Sequence, residues 1–101
     1  MAEFTVTALD QLGNHELAAF DVSGDRVAIA TVGDAFYAFG DTCTHLGCSL
    51  AGGNLEGTTV TCPCHGSQFD VTTGEVVRGP AREPVPSYPV RLEAGALRVE
   101  V

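Results

Sequence analysis

Apolar and polar residues alternate with a period of two along both ends of this chain, which is the pattern of half-buried strands. Phe4-Thr-Val6-Thr-Ala8 predicts a first strand and Leu17 to Val22 a second. Ser23-Gly24-Asp25 then predicts a turn into a third strand over Arg26 to Val32. Gly33-Asp34 suits a two-residue hairpin turn into Ala35 to Phe39. Toward the C-terminus, Tyr88, Val90 and Leu92 alternate with Pro89, Arg91 and Glu93. After a turn at Ala94-Gly95, Leu97, Val99 and Val101 alternate with Arg98 and Glu100. Shorter runs at Thr58–Thr61, Gln68–Val71 and Glu75–Val77 read as strands too, the last two separated by a turn at Thr72-Thr-Gly74. No window holds a helical period, and at most one turn of helix fits at Leu9–Leu12. The expected fold is all-β.

The segment from Asp41 to Pro80 differs from its flanks. It holds all four cysteines and two of the three histidines, and it is rich in Gly, Thr and Ser. It reads as a lobe (42–80) inserted between two parts of a β core, 1–41 and 81–101. Because the insert interrupts one fold, the expectation is a single domain. With 101 residues, 45% of them hydrophobic, the chain has enough apolar material for one modest core. Phe36, Tyr37 and Phe39 are assigned mainly to it.

Thirteen acids face five arginines with no lysine, a net charge of -8. That balance argues against nucleic acid and anionic membranes and favours a partner with a basic docking face. The opening Met1-Ala-Glu-Phe-Thr-Val has no basic n-region and no apolar h-region. No apolar run approaches the roughly 18–20 residues of a membrane helix. The expectation is a soluble, cytoplasmic protein.

The chemistry lies in Cys43-Thr-His45 and Cys62-Pro-Cys64-His65. Two loops that each offer one thiolate and one imidazole suit a 2Fe–2S centre with thiolates on one iron and imidazoles on the other. Structural zinc is the rival, since two cysteines and two histidines also close a tetrahedral site. Zinc-finger spacing is absent, because the pairs are mixed and no helix follows. A metal-free disulfide framework is the third reading. His15, after Gly13-Asn14, reads as a surface residue in a turn. No Ser-His-Asp set, phosphate loop or carboxylate pair stands out, so the chain reads as an electron carrier rather than an enzyme.

Cys43-Thr-His45-Leu-Gly-Cys48 and Cys62-Pro-Cys64-His65-Gly-Ser67 closely resemble the two boxes of Rieske iron–sulfur proteins, and Gly79-Pro80 falls where that family has its proline loop. The resemblance implies an antiparallel β-sandwich with a cluster lobe at one end and one Rieske-type 2Fe–2S cluster. It implies Cys43 and Cys62 as ligands of the inner iron, and His45 and His65 as ligands of the outer one. It implies a disulfide between Cys48 and Cys64, as in Rieske subunits of respiratory complexes, although many Rieske ferredoxins lack the pair and two buried thiols are the alternative. Leu46, Gly47, Gly66 and Pro80 would surround and shield the cluster. Ser67 matches a serine that hydrogen-bonds a cluster sulfide in high-potential members. Phe69 stands where those members carry a tyrosine, so one hydrogen bond to sulfur is lost. The expected potential lies low in the Rieske range of about -150 to +300 mV. Arg78 and Arg82 flank the proline loop and suit either plain surface charge or orientation of a partner.

Several Rieske settings are set aside at this level. Respiratory subunits need a membrane anchor, and terminal oxygenase subunits need a large catalytic domain. The setting that remains is a ferredoxin passing single electrons from an NAD(P)H-dependent flavoprotein reductase to a terminal aromatic-ring-hydroxylating dioxygenase. A tightly bound electron-transfer subunit (nitrite reductase-like or arsenite oxidase-like) and a zinc-stabilised interaction module are the alternatives.

Overall fold

A computed structural model describes residues 3–8, 12, 16–44, 47–64 and 66–101. Within them the alternating runs form eleven strands. These are β1 (Glu3–Ala8), β2 (Leu17–Val22), β3 (Asp25–Val32), β4 (Ala35–Gly40), β5 (Asn54–Glu56), β6 (Thr59–Thr61), β7 (Gln68–Asp70), β8 (Val76–Arg78), β9 (Ser87–Tyr88), β10 (Val90–Glu93) and β11 (Ala96–Glu100). One 3-10 turn, Leu50–Gly52, precedes β5. The strands make three sheets with orders β1-β11-β10, β2-β3-β4-β9 and β5-β6-β7-β8, and every pairing is antiparallel. The all-β expectation is met. Of the helical turn expected at Leu9–Leu12, only Leu12 lies among the described residues.

The second sheet stands between the other two. Four consecutive residues of β3, Val27 to Ala30, are buried, so this strand is covered on both faces. Val27 and Ile29 join Val22, Ala38, Leu97 and Val99 in one buried cluster, toward the first sheet. Ala28 and Ala30 join Phe39, Leu50, Val60 and Phe69 in another, toward the third sheet. The alternation of β4 divides its aromatic residues the same way. Phe36 packs on the first cluster, Tyr37 and Phe39 on the second. Burying a side chain such as Phe39 or Ile29 contributes about 1.5–3 kcal/mol.

One strand expectation is corrected. The alternation from Tyr88 to Leu92 is not one strand, because the chain changes sheets at Pro89. Tyr88 pairs with Ala38 of β4, whereas Val90 pairs with Val99 of β11. Proline has no N–H to give a ladder, which makes it a natural break. Its carbonyl still accepts from Glu100 N–H at 3.0 Å. Smaller shifts occur in the third sheet. The strand read at Glu75–Val77 is Val76–Arg78, and β5 went unread in a stretch rich in glycine.

Candidate metal centre

The two cysteine boxes fold as matching loops. In each, the leading cysteine N–H donates to the carbonyl five residues on, Cys43 to Cys48 at 2.8 Å and Cys62 to Ser67 at 2.7 Å. In each, the glycine four residues on donates back to the cysteine carbonyl, Gly47 to Cys43 at 2.8 Å and Gly66 to Cys62 at 3.2 Å. Gly47 and Gly66 both have φ of +78°, a conformation that a β-carbon disfavours. Repeated hydrogen bonds at repeated offsets mean that the two boxes present their leading cysteines in the same local frame.

The bases of the loops are braced differently. The first is closed by a bridge between Thr42 and Ser49. Beneath it lies Asp41, 1% exposed. One Asp41 carboxylate oxygen accepts from Ala51 N–H at 2.8 Å, and the other accepts from the Ser49 hydroxyl at 2.7 Å. Arg26 Nε lies 3.5 Å from the latter oxygen. Two hydrogen bonds and a guanidinium offset the desolvation that burying a carboxylate costs. The second loop springs from the third sheet, where Thr61 and Gln68 pair across β6 and β7. The Gln68 side-chain amide donates to Thr61 Oγ1 at 3.2 Å.

The segment 79–83 joins the two loops. Ala81 N–H donates to Ser67 Oγ at 3.0 Å, and the Thr44 hydroxyl donates to the Glu83 carbonyl at 2.7 Å. The Gly79–Pro80 peptide is cis, and Pro80 itself is exposed.

Cys43 and Cys62 are 2% and 3% exposed and belong to one buried cluster. Cys48 and Cys64 are joined by a disulfide with a Cα–Cα separation of 6.5 Å. Their sulfurs and that of Cys62 lie within 4.8 Å of one another. Since two of these three sulfurs are bonded to each other, the trio is no ligand set. It records how closely the disulfide stands beside Cys62. Ser67 is 1% exposed and Phe69 fully buried, opposite Val60 and Val76. Gly47 is exposed and Gly66 half-buried. His45, His65, Leu46 and His15 lie outside the described residues.

The residues fit an iron–sulfur group in one specific respect. A hydroxyl has one proton to donate, and among the described residues that of Ser67 is given to no protein acceptor, while its oxygen accepts from Ala81. A buried donor of this kind suits an inorganic sulfide as its acceptor. Asp41, Thr44 and Ala81 were not singled out in the sequence. The shared offset from cysteine to glycine in both boxes was the available signal for the loop scaffold. An aspartate before Thr-Cys gave none.

Residues 2–89 match the Rieske [2Fe-2S] domain, and the chain belongs to that family. It is therefore a 2Fe–2S protein and an electron carrier, not a catalyst. Ferredoxin CarAc of Metapseudomonas resinovorans is 41% identical over 78 residues, 77% of this chain and 73% of that protein. The ferredoxin of carbazole 1,9a-dioxygenase from Nocardioides aromaticivorans IC177 superposes with a TM-score of 0.91 at 34% identity, covering 98% of this chain and 97% of that one. A ferredoxin solved as a complex of reduced oxygenase and oxidised ferredoxin in carbazole 1,9a-dioxygenase superposes with a TM-score of 0.88 at 34% identity, over 96% of this chain and 91% of that one.

Proposed function

We propose that this chain is the soluble, cytoplasmic Rieske ferredoxin of an aromatic-ring dioxygenase system, taking single electrons from an NAD(P)H-dependent flavoprotein reductase and giving them to a terminal oxygenase. The observation that carries the reading is the pair of matching loops, the second ending in a buried serine hydroxyl, on a fold shared along nearly the whole chain with dioxygenase ferredoxins. Cys43, His45, Cys62 and His65 are the ligands in this reading, and the cluster they hold takes up and releases one electron.

The protein's own groups do the rest. The Cys48–Cys64 disulfide ties the first loop to the second. Ser67 offers its hydroxyl proton, a bond that strengthens as negative charge builds on reduction. Phe69 brings apolar bulk and no hydroxyl, which limits that stabilisation. The buried cluster beneath excludes water, and the loops and the 79–83 segment form the docking end. Contact with either partner is brief and small, as a shuttle requires.

Electron paramagnetic resonance of the dithionite-reduced protein, with iron and sulfide assays, tests the centre. A Rieske-type signal of low average g with two irons per chain is expected, and a silent protein carrying stoichiometric zinc overturns the reading. Reconstituted turnover then tests the setting. The chain should support many oxygenase cycles at substoichiometric concentration, whereas a tightly held subunit would not.

A further inference from the structure

The five arginines divide into two groups. Arg26 lies against Asp21 and Asp41, Arg91 against Glu3 and Glu93, and Arg98 against Glu3. Arg78 and Arg82 have no carboxylate partner among the described residues, and both are exposed. In a chain with thirteen acids for five arginines, two unpaired arginines are the exception.

Their positions are fixed by the cluster loops. Arg78 pairs with Gln68 and Gln68 with Thr61, a row across the third sheet immediately beside Ser67 and Cys62. The acids of that sheet stand at the other end. Glu56 and Asp70 both pair with Thr59, two residues along each strand from this row, and Glu75 precedes β8. At about 3.3 Å per residue, the acidic row lies ~7 Å farther from the loops. Arg82 sits between Ala81, bound to Ser67 of the second loop, and Glu83, bound to Thr44 of the first. It is thus held on the segment that spans both loops. A shallow cleft of about 550 Å³ beside it is lined by Thr44, Pro80, Arg82 and Glu83, so the exposed Glu83 carboxylate offsets one of the two arginines and leaves this end with one net positive charge among the described residues.

We propose that Arg78 and Arg82 form a cationic docking pair at the cluster end of this acidic protein, and that they pair with carboxylates on the docking face of its redox partner. The inference rests on the carrier reading above. It reverses the simplest expectation from net charge, that the partner meets this chain with a basic face. The long-range field of the molecule is negative. Within a Debye length of about 8 Å at physiological ionic strength, the local charge of the docking end governs approach.

The test uses the full chain, reduced with dithionite and desalted, then oxidised by ferricyanide in a stopped-flow instrument. The reduced cluster loses one electron and the ferricyanide trianion gains it. The wild-type rate is expected to fall as salt rises from 150 to 500 mM, where the Debye length is about 8 Å or less and the net charge of the whole molecule is screened. The double variant Arg78→Gln/Arg82→Gln should be about threefold slower at 150 mM salt. Arg91→Gln, at a paired arginine of the first sheet, should change the rate less than twofold. Poly-L-glutamate, a carboxylate probe of the partner face, should compete with ferricyanide against the wild type and not against the double variant.

A wild-type rate that rises with salt, an unmoved double variant or an absence of polyglutamate competition overturns the proposal. The resonance signal of the double variant must match the wild type, which separates docking from damage to the centre. A wild type without a Rieske signal defeats the carrier reading itself. A normal signal with arginine-insensitive rates defeats only the docking pair.

Discussion

The loop from Cys43 to Cys48 and the loop from Cys62 to Ser67 share one hydrogen-bond scaffold and differ in the residue that ends it. The first ends in a cysteine that is bonded across to Cys64. The second ends in a serine whose hydroxyl is buried and half used. Backbone geometry that presents a ligand is therefore separable from what stands at the last position. One loop uses that position for a covalent lock, the other for a polar contact. Their footings differ in the same spirit. A buried carboxylate carries the first, and the register of a sheet carries the second.

The largest effect should come from the cysteines that lead the two loops. Cys43→Ser and Cys62→Ser should each abolish the iron–sulfur centre, since a hydroxyl is a poor substitute for thiolate toward iron. Iron and sulfide content and the visible spectrum check this. Retention of a full centre in either variant would break the equivalence of the two frames.

Removal of the lock comes next. Cys48→Ser/Cys64→Ser should lower unfolding free energy by about 3 kcal/mol, given a 16-residue separation. Guanidinium titration measures it. A change under about 1 kcal/mol would mean that the hydrogen-bond scaffold suffices without the covalent tie.

Asp41→Ala should cost about 2 kcal/mol, because the Ser49 hydroxyl and the Ala51 N–H lose their shared acceptor inside the protein. The loss should concentrate in the first loop. Hydrogen exchange should quicken at Leu50 and Ala51 and stay unchanged at Gln68. Equal quickening in both loops would show that their footings are not independent.

Ser67→Ala should give the smallest stability change, about 1 kcal/mol for the acceptor taken from Ala81. Its sharper readout is potential. Loss of one hydrogen bond to the reduced centre should lower the midpoint by roughly 20–60 mV. Protein-film voltammetry measures it, and an unchanged midpoint would remove Ser67 from the tuning of the centre.

Much of this was legible in the sequence because strand alternation and donor spacing are local. The hairpin from β3 to β4 was readable from Gly33-Asp34 and the apolar runs around it. The break at Pro89 was not, because the choice of β4 or β11 as neighbour is a tertiary outcome that alternation does not encode. β5 escaped for another reason. Three residues carry too short a pattern to stand out among glycines. At the site, the boxes announced their donors, but nothing near Asp41 advertised burial. Charged side chains before a loop are ordinarily solvated, and only the fold reveals that Ser49 and Ala51 close over this one. The arginines were visible as flanks of the proline loop. That neither has a carboxylate partner among the described residues became visible only beside the other three, which do.

The middle sheet has a consequence for how such a carrier travels. Phe39, Ala28 and Ala30 are packed in the same buried cluster as Cys43 and Cys62, while Ile29 and Ala38 close against the opposite sheet. A wall shared in this way anchors both leading cysteines to a sheet that is itself packed on its opposite face. Delivery by rotation and diffusion of the whole body is then the expectation for such a carrier, with a rate that follows solvent viscosity.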